Sequence, residues 1–352
     1  MKAILTSITA AMLAVSLSAG PALAGNSQCG PFGDSPEKVL TGFLPRFVSE
    51  HSPECFEGKL LGPWKDSDGT ERYSCLYEPK SMPPGRQFPL VVFLHGSMFS
   101  ADSILVTNLV KAADTTDLGA GRPGFVLLAV EGRDTDHYYI GPDRTGLGWD
   151  NWYRQLNPSG NVTIAGKTYK ENVDAAAIDH FIAQEIATGK VDPKRIYLTG
   201  WSNGAAMALL YVLNRPNVAA AAIYSAPDPF GAFGDPCEQT PVANSPANNG
   251  EVQIFNPKVP VMHVRNACDI GGICPNGNRL AKQMRSAGVN FDDVIIDADN
   301  NRVASCDVSC GTDPDGGGDI PTLGFIRGAK NHFFWPGEWT GRMLEFLKKY
   351  SK

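Results

Sequence analysis

Residues 200–204 read Gly-Trp-Ser-Asn-Gly. A serine spaced this way between two glycines carries chemistry when an apolar strand runs into it and a helix runs out. The turn between them is so tight that flanking side chains would strike neighbouring backbone. The serine is then held in a strained conformation with its hydroxyl exposed. Both flanks are present here. Arg195-Ile196-Tyr197-Leu198-Thr199 precedes the motif, and a run rich in Ala, Met and Leu extends from about Gly204 to Asn214, stopping before Pro216. Ser202 is therefore the expected nucleophile. An ordinary strand–helix turn with a capping serine is the structural alternative.

A serine hydroxyl needs a base to become a nucleophile. There are six histidines, at 51, 95, 137, 180, 263 and 332. In the strand–turn–helix arrangement the acid and then the histidine follow the serine along the chain. Only His263 and His332 do so. His263 lies inside the apolar run 259–264 and reads as a core residue. His332 is expected in a loop, Gly328-Ala329-Lys330-Asn331-His332, just before a final helix. His332 is the expected base. The acid should end a strand between serine and histidine. Asp269 directly follows the run 259–266 and could hold the imidazole tautomer and stabilise its charged form. Asp297 and Asp299, after a possible strand 291–296, compete with it.

The developing oxyanion needs two backbone donors. One is expected from Asn203, the residue after the nucleophile. The other is expected from the turn His95-Gly96-Ser97-Met98, with Ser97 favoured and Met98 the alternative; His95 itself reads as structural. Trp149 and Trp152 lie in the long loop 133–171, Trp201 beside the nucleophile and Trp335 beside the base. Their flat faces are expected to bind substrate, with loop packing as the competing explanation.

The elements that must position these groups are legible as alternation. Apolar runs at 88–94, 124–130, 195–199, 219–224 and 259–264 suit strands of a parallel sheet covered on both faces. Helical spacing links Val173, Ala177, Ile178, Phe181, Ile182 and Ile186, with Gly189 and Pro193 beyond the end. A last helix spans about 339–350. The fold class predicted is α/β, a mostly parallel, doubly wound sheet with long loop insertions after strands at 133–171, 227–258 and 300–320.

Residues 1–24 read as a signal peptide, with Lys2, an apolar run and Ala22-Leu23-Ala24 at the cleavage point. Residues 25–352 then form one catalytic domain with an N-terminal extension, secreted or periplasmic, with no membrane span expected in it. Eight cysteines in an exported chain read as disulfides. The local pairs Cys55/Cys75, Cys268/Cys274 and Cys306/Cys310 are the expected ones, with Cys268/Cys274 pinning the loop of the acid. A net charge of −6, without a basic stripe, argues against nucleic acid. No metal site is expected: Cys306 and Cys310 have no nearby histidine, and Asp313 to Asp319 reads as a solvated acidic turn, not a calcium loop.

The chain resembles α/β-hydrolases of the polyhydroxybutyrate depolymerase, feruloyl esterase and acetyl xylan esterase group, over roughly residues 75–350. The resemblance rests on Leu94-His95-Gly96, on Asp192-Pro193-Lys194-Arg195-Ile196-Tyr197 leading into Gly200-Trp201-Ser202-Asn203-Gly204-Ala205, and on His332-Phe333-Phe334-Trp335-Pro336-Gly337. The family's usual ending is similar to His-x-Trp-Pro-Gly, with one residue fewer. Where the family often has Cys after His-Gly, Ser97 stands here. The resemblance implies a secreted serine esterase that needs no cofactor or metal, acting on a polyhydroxyalkanoate-type polyester or on feruloyl or acetyl esters of a polysaccharide. A serine peptidase on the same scaffold and a catalytically dead binding protein are the rival expectations.

Overall fold

The computed structural model describes residues 53–66, 71–97, 99–134, 147–149, 162–164, 167–169, 172–229, 254, 256–270, 273–307 and 323–352. The signal segment, Met98, Trp152, the Asp313–Asp319 turn and Cys29, Cys237 and Cys310 lie outside the described residues.

Nine strands of the described residues form one sheet. In chain order they are β1 (Lys59–Lys65), β2 (Glu71–Tyr77), β3 (Phe88–Leu94), β4 (Val126–Val130), β9 (Val191–Trp201), β10 (Ala220–Tyr224), β11 (Val261–Asn266), β12 (Phe291–Asp297) and β13 (Arg302–Val303). Two short pairs, β5 (Arg133–Asp134) with β6 (Leu147–Gly148) and β7 (Val162–Ile164) with β8 (Lys167–Tyr169), lie outside it. The spatial order is β1-β2-β4-β3-β9-β10-β11-β12-β13. The six strands from β4 to β12 run parallel, and β1, β2 and β13 extend the edges in antiparallel fashion.

Why these segments are strands follows from their burial. Every residue of Phe88–Leu94 and of Val126–Val130 is buried. Helices on both faces exclude water, so alternation with polar residues would leave polar groups stranded. Leu90, Val92 and Leu94 point to one face, and Val91 and Phe93 to the other. The first face is covered by α2 (Val173–Ala187), α3 (Asn203–Asn214) and α4 (Ile273–Ser286). The second is covered by a 3-10 turn (Ala101–Val106), α1 (Leu109–Ala113) and α6 (Gly337–Lys348). All twelve residues of α3 are buried, so its sequence is apolar all round, not amphipathic. Among the described residues no helix is long and apolar enough to cross a membrane.

Two predicted boundaries move. The strand expected at 195–199 extends back to Val191, through Pro193. Its register against β3 slips between Phe88 and Leu90, and an irregularity of this kind tolerates a residue without an N–H. His332, expected in a loop, lies in the last turn of α5 (Leu323–Phe333). Gly328 obscured this helix in the sequence. A Cβ at Gly328 would sit 2.9 Å from the Asp269 carbonyl oxygen, so the glycine is there to let α5 approach the loop after β11.

The sheet order reverses next to β3: the chain steps from β3 to β4 on one side, then returns to β9 on the other. The connections leaving the carboxyl ends of β3 and β9 therefore part to opposite faces of the sheet, and open α/β sheets place their ligands in the crevice outside such a point.

Candidate active site

Ser202 stands at the end of β9 and caps α3 with φ 55° and ψ −121°. A left-handed φ at a non-glycine residue is strained and must be enforced by its surroundings. The two motif glycines show how. A Cβ on Gly200 would lie 2.5 Å from the Gly204 carbonyl oxygen, and one on Gly204 would lie 2.5 Å from the Leu94 carbonyl carbon. The helix thus crosses the strand ends with no room for a methyl group. Ser202 N–H donates to the Tyr224 carbonyl at 3.0 Å, tying the elbow to β10.

The Ser202 hydroxyl lies 2.7 Å from His332 Nε2. On the far side of the ring, Nδ1–H donates to Asp269 Oδ1, also at 2.7 Å. Asp269 is buried in the loop after β11. Its Oδ1 also accepts from the Ile270 N–H at 2.8 Å, and Oδ2 accepts from the Ser225 hydroxyl at 2.8 Å. With both carboxylate oxygens engaged, the imidazole keeps Nε2 free of its proton and facing serine. His332 stands in the last turn of α5, whose final carbonyls lack intrahelical partners.

Those terminal carbonyls are themselves held. Trp201 Nε1–H donates to the His332 carbonyl at 2.7 Å, and the Tyr224 hydroxyl donates to that of Asn331 at 2.6 Å. Asn266 Nδ2 donates to the Asn331 carbonyl at 3.1 Å, and the Asn331 side chain donates to the Cys268 carbonyl at 3.1 Å. Helix ends leave carbonyls without intrahelical partners, and here side chains from three strands supply the donors. Burial pushes the Tyr224 hydroxyl far above its ordinary range, so it remains a donor. Sequence reasoning missed Ser225, Tyr224, Asn266 and Asn331. The last two adjoin Asp269 and His332 in sequence, yet nothing in the order of residues shows which group each would meet.

The turn after β3 abuts the nucleophile. A Cβ on Gly96 would lie 3.5 Å from Ser202 Cβ, and the turn closes through Phe99 N–H donating to the Gly96 carbonyl at 3.2 Å. Ser97 sits in that turn, half-buried. The Asn203 amide opens α3. Its side chain faces away, with Oδ1 accepting from the Trp149 N–H at 2.7 Å. His95 is buried, with Nδ1–H donating to the Gly96 carbonyl at 2.8 Å and Nε2 accepting from Gly132 N–H at 2.8 Å. Burial pushes its pKa down to about 4, so it is a neutral brace for the turn. His263 is fully buried beside Asp293 and Phe291, and desolvation lowers its pKa also. Asp297 and Asp299 do not face His332. They pair with Arg327 and Lys330 on the other side of α5, Asp299 to Lys330 at 2.7 Å.

No family model matches the chain. Dipeptidyl peptidase 8 of Mus musculus and of Homo sapiens are each 24% identical over 195 residues, 55% of this chain and 18% of theirs. The chain thus spans under a fifth of the length of these curated relatives. Among solved structures, Thermogutta terrifontis esterase 2 phosphoramylated by tabun superposes with TM-score 0.50 at 16% identity, covering 84% of this chain and 94% of that one. Porphyromonas gingivalis dipeptidyl peptidase 4 superposes with TM-score 0.45 at 15% identity, covering 85% and 36%. The chain has the α/β-hydrolase fold.

Within this fold, two expectations need correction. Trp149, Trp201 and Trp335 do not offer open faces. Trp149 is fully buried and donates from Nε1 to the His95 carbonyl at 2.9 Å. Trp201 is 2% exposed and stacks on Phe99, and Trp335 is 7% exposed, edge-on to Phe93, Trp201 and Tyr224. They support the site from behind, because the elbow and the α5 end need dense apolar backing with indole donors. The half-exposed aromatics beside the site are instead Phe99 and Phe333, with Phe333 edge-on to the His332 ring at 5.4 Å.

The cysteine pairing also differs. Cys55–Cys75 forms as expected, but Cys274 pairs with Cys306, which excludes Cys268/Cys274 and Cys306/Cys310. Cys268 is disulfide-bonded elsewhere. Topology is the reason. The chain after β13 turns back along the loop after β11, with Asp307 N–H donating to the Ala267 carbonyl at 2.8 Å. That return brings Cys306 against the first turn of α4.

Proposed function

We propose that the chain is a serine hydrolase of carboxylic esters. The observation that carries this reading is the relay of two 2.7 Å hydrogen bonds, Ser202 to His332 and His332 to Asp269, at the crevice where the sheet order reverses. In this reading His332 takes the proton as Ser202 attacks the ester carbonyl. The Asn203 and Ser97 amides receive the oxyanion, and His332 returns the proton to the leaving alcohol. Water activated by His332 then releases the acyl group. Asp269 stays ionised throughout and stabilises the imidazolium. The sequence resemblance points to a polyhydroxyalkanoate-type polyester or a feruloyl or acetyl ester of a polysaccharide. Lys2, the apolar run after it and Ala22-Leu23-Ala24 support residues 1–24 as a signal peptide, and with it residues 25–352 as one catalytic domain and a secreted or periplasmic location.

A peptidase reading has one specific observation in its favour, the match to dipeptidyl peptidase 8. The deciding experiment pairs a fluorophosphonate label with a substrate panel. Labelling at Ser202, absent in Ser202→Ala, supports a live nucleophile; an unlabelled wild-type chain would instead indicate a dead hydrolase used for binding. Short p-nitrophenyl acyl esters, methyl ferulate, acetylated xylan, polyhydroxybutyrate film and dipeptidyl amides then separate the substrate classes. Turnover of amides without esters would reject the esterase reading.

A further inference from the structure

Ser225 has no part in the steps above, yet it is fully buried, held at φ 50°, and aimed at the acid. The residue follows the last position of β10. There its N–H donates to the Val264 carbonyl on β11 at 2.7 Å. The β10–β11 register, Tyr224 beside Val264, sets the hydroxyl against the loop that β11 feeds. A left-handed φ costs a non-glycine residue about 1 kcal/mol or more, and glycine would adopt it freely. A side chain kept at such a position needs a compensating interaction. Those observed are the 2.8 Å hydrogen bond to Asp269 Oδ2 and a hydrogen bond shared with the Tyr224 hydroxyl.

We propose that Ser225 is a positioning residue of the catalytic relay. Its hydroxyl fixes the carboxylate plane so that Oδ1 faces Nδ1 of His332, and it limits the negative charge that Asp269 presents to the imidazole. This inference rests on the serine-hydrolase reading. A carboxylate with only Oδ1 anchored can rotate about its Cβ–Cγ bond, and each rotation breaks the link to Nδ1. A hydrogen bond to the ionised form also makes a carboxylate a weaker base. Removing it makes Asp269 attract the imidazolium proton more strongly and raises the pH at which His332 becomes a free base.

The charged groups around this carboxylate are otherwise committed. On β11 and β12, His263, Arg265 and Asp293 form a buried set in which Arg265 Nη2 meets Asp293 Oδ2 at 2.7 Å. On α5, Arg327 and Lys330 face Asp297, Asp299 and Asp307 on the opposite side. Tyr224 on β10 stays protonated. None of these contributes a hydrogen bond to Asp269, so its oxygens are held by His332, Ile270 and Ser225.

The test uses two variants that a structural role would separate. Ser225→Ala removes the hydroxyl and keeps the backbone strain; Ser225→Gly removes the hydroxyl and relieves the strain. The rate of fluorophosphonate labelling of Ser202 is followed against pH, together with thermal unfolding. The expected result is that both variants label about tenfold more slowly, the size of a lost hydrogen bond to a charged group. The acidic limb of the profile should move up by about half a pH unit in both. Ser225→Gly should nonetheless be the more stable of the two, and it carries the test alone if Ser225→Ala fails to fold. Wild-type rates and an unmoved limb in Ser225→Gly would overturn the proposal. A wild-type chain that does not label at all would overturn the serine-hydrolase reading instead.

Discussion

Replacing Gly204 with alanine adds one methyl group at the point where α3 crosses the end of β3. The added Cβ would sit 2.5 Å from the Leu94 carbonyl carbon, with the carbonyl oxygens of Leu94 and His95 closer still, nearer than real Cβ atoms come to any such neighbour. Every one of these neighbours is main chain, so no rotamer can move aside. Ordinary contact needs about 3.5 Å, and the helix must therefore back away by about 1 Å. Overpacking of this kind costs roughly 1–3 kcal/mol, and the rigid partners place it at the upper end. Alanine's better helix propensity returns about 1 kcal/mol, leaving a net loss of roughly 2 kcal/mol. The functional effect should be larger than the loss of stability. Ser202 begins the same helix, and a displacement of about 1 Å at a reacting group can lower the rate about 100-fold. Gly341 on α6 provides the control. It is exposed, and a Cβ there meets nothing within 4 Å. Gly341→Ala should stabilise by about 1 kcal/mol with unchanged activity. Denaturant unfolding and ester turnover measured side by side check both. If Gly204→Ala unfolds within about 0.5 kcal/mol of wild type and turns over within threefold, the steric account of the elbow is wrong.

Asp269→Asn should leave the fold intact but present the wrong partner to Nδ1, lowering kcat by about 10⁴-fold; a loss under tenfold in a steady-state assay would remove Asp269 from the relay. Stability should fall as the medium is acidified from about pH 6.5 towards 4. His95 is held neutral in the fold, with its pKa down to about 4, while the unfolded chain takes up the proton near its ordinary value. The folded pKa is the lower one, so the stability is complete above 6.5. As much as about 3 kcal/mol is lost on the way down, and His95→Gln should flatten the slope between unfolding curves at pH 7 and 4.5. Breaking the Cys274–Cys306 bridge, which spans 32 residues, with Cys274→Ser and Cys306→Ser together should cost about 3–4 kcal/mol on the loop-entropy estimate. Thermal unfolding of the double variant, compared with the Cys55–Cys75 counterpart, measures it.

The sequence by itself determined the local pieces. Gly200, Ser202 and Gly204 spell a strand–turn–helix junction because only those sizes fit it. The runs at 88–94, 219–224 and 259–264 announce buried strands because a sheet covered on both faces needs no polar alternation. Chain order then singled out His332 as the base and favoured Asp269 among three aspartates, and the structure links Ser202 to His332 and His332 to Asp269. What only the tertiary structure decided are the contacts between segments far apart in the chain. Asp269 was separated from Asp297 and Asp299 by which face of α5 each one meets. Cys274 found Cys306 because β13 turns the chain back beside β11. Ser225, Tyr224 and Asn266 gained their roles from strand register and Asn331 from the docking of α5, and Trp149, Trp201 and Trp335 lost theirs to burial. A side chain's type states which bonds it can make. Which partner it meets is set by the packing of whole helices against the sheet, and no local pattern of residues encodes that.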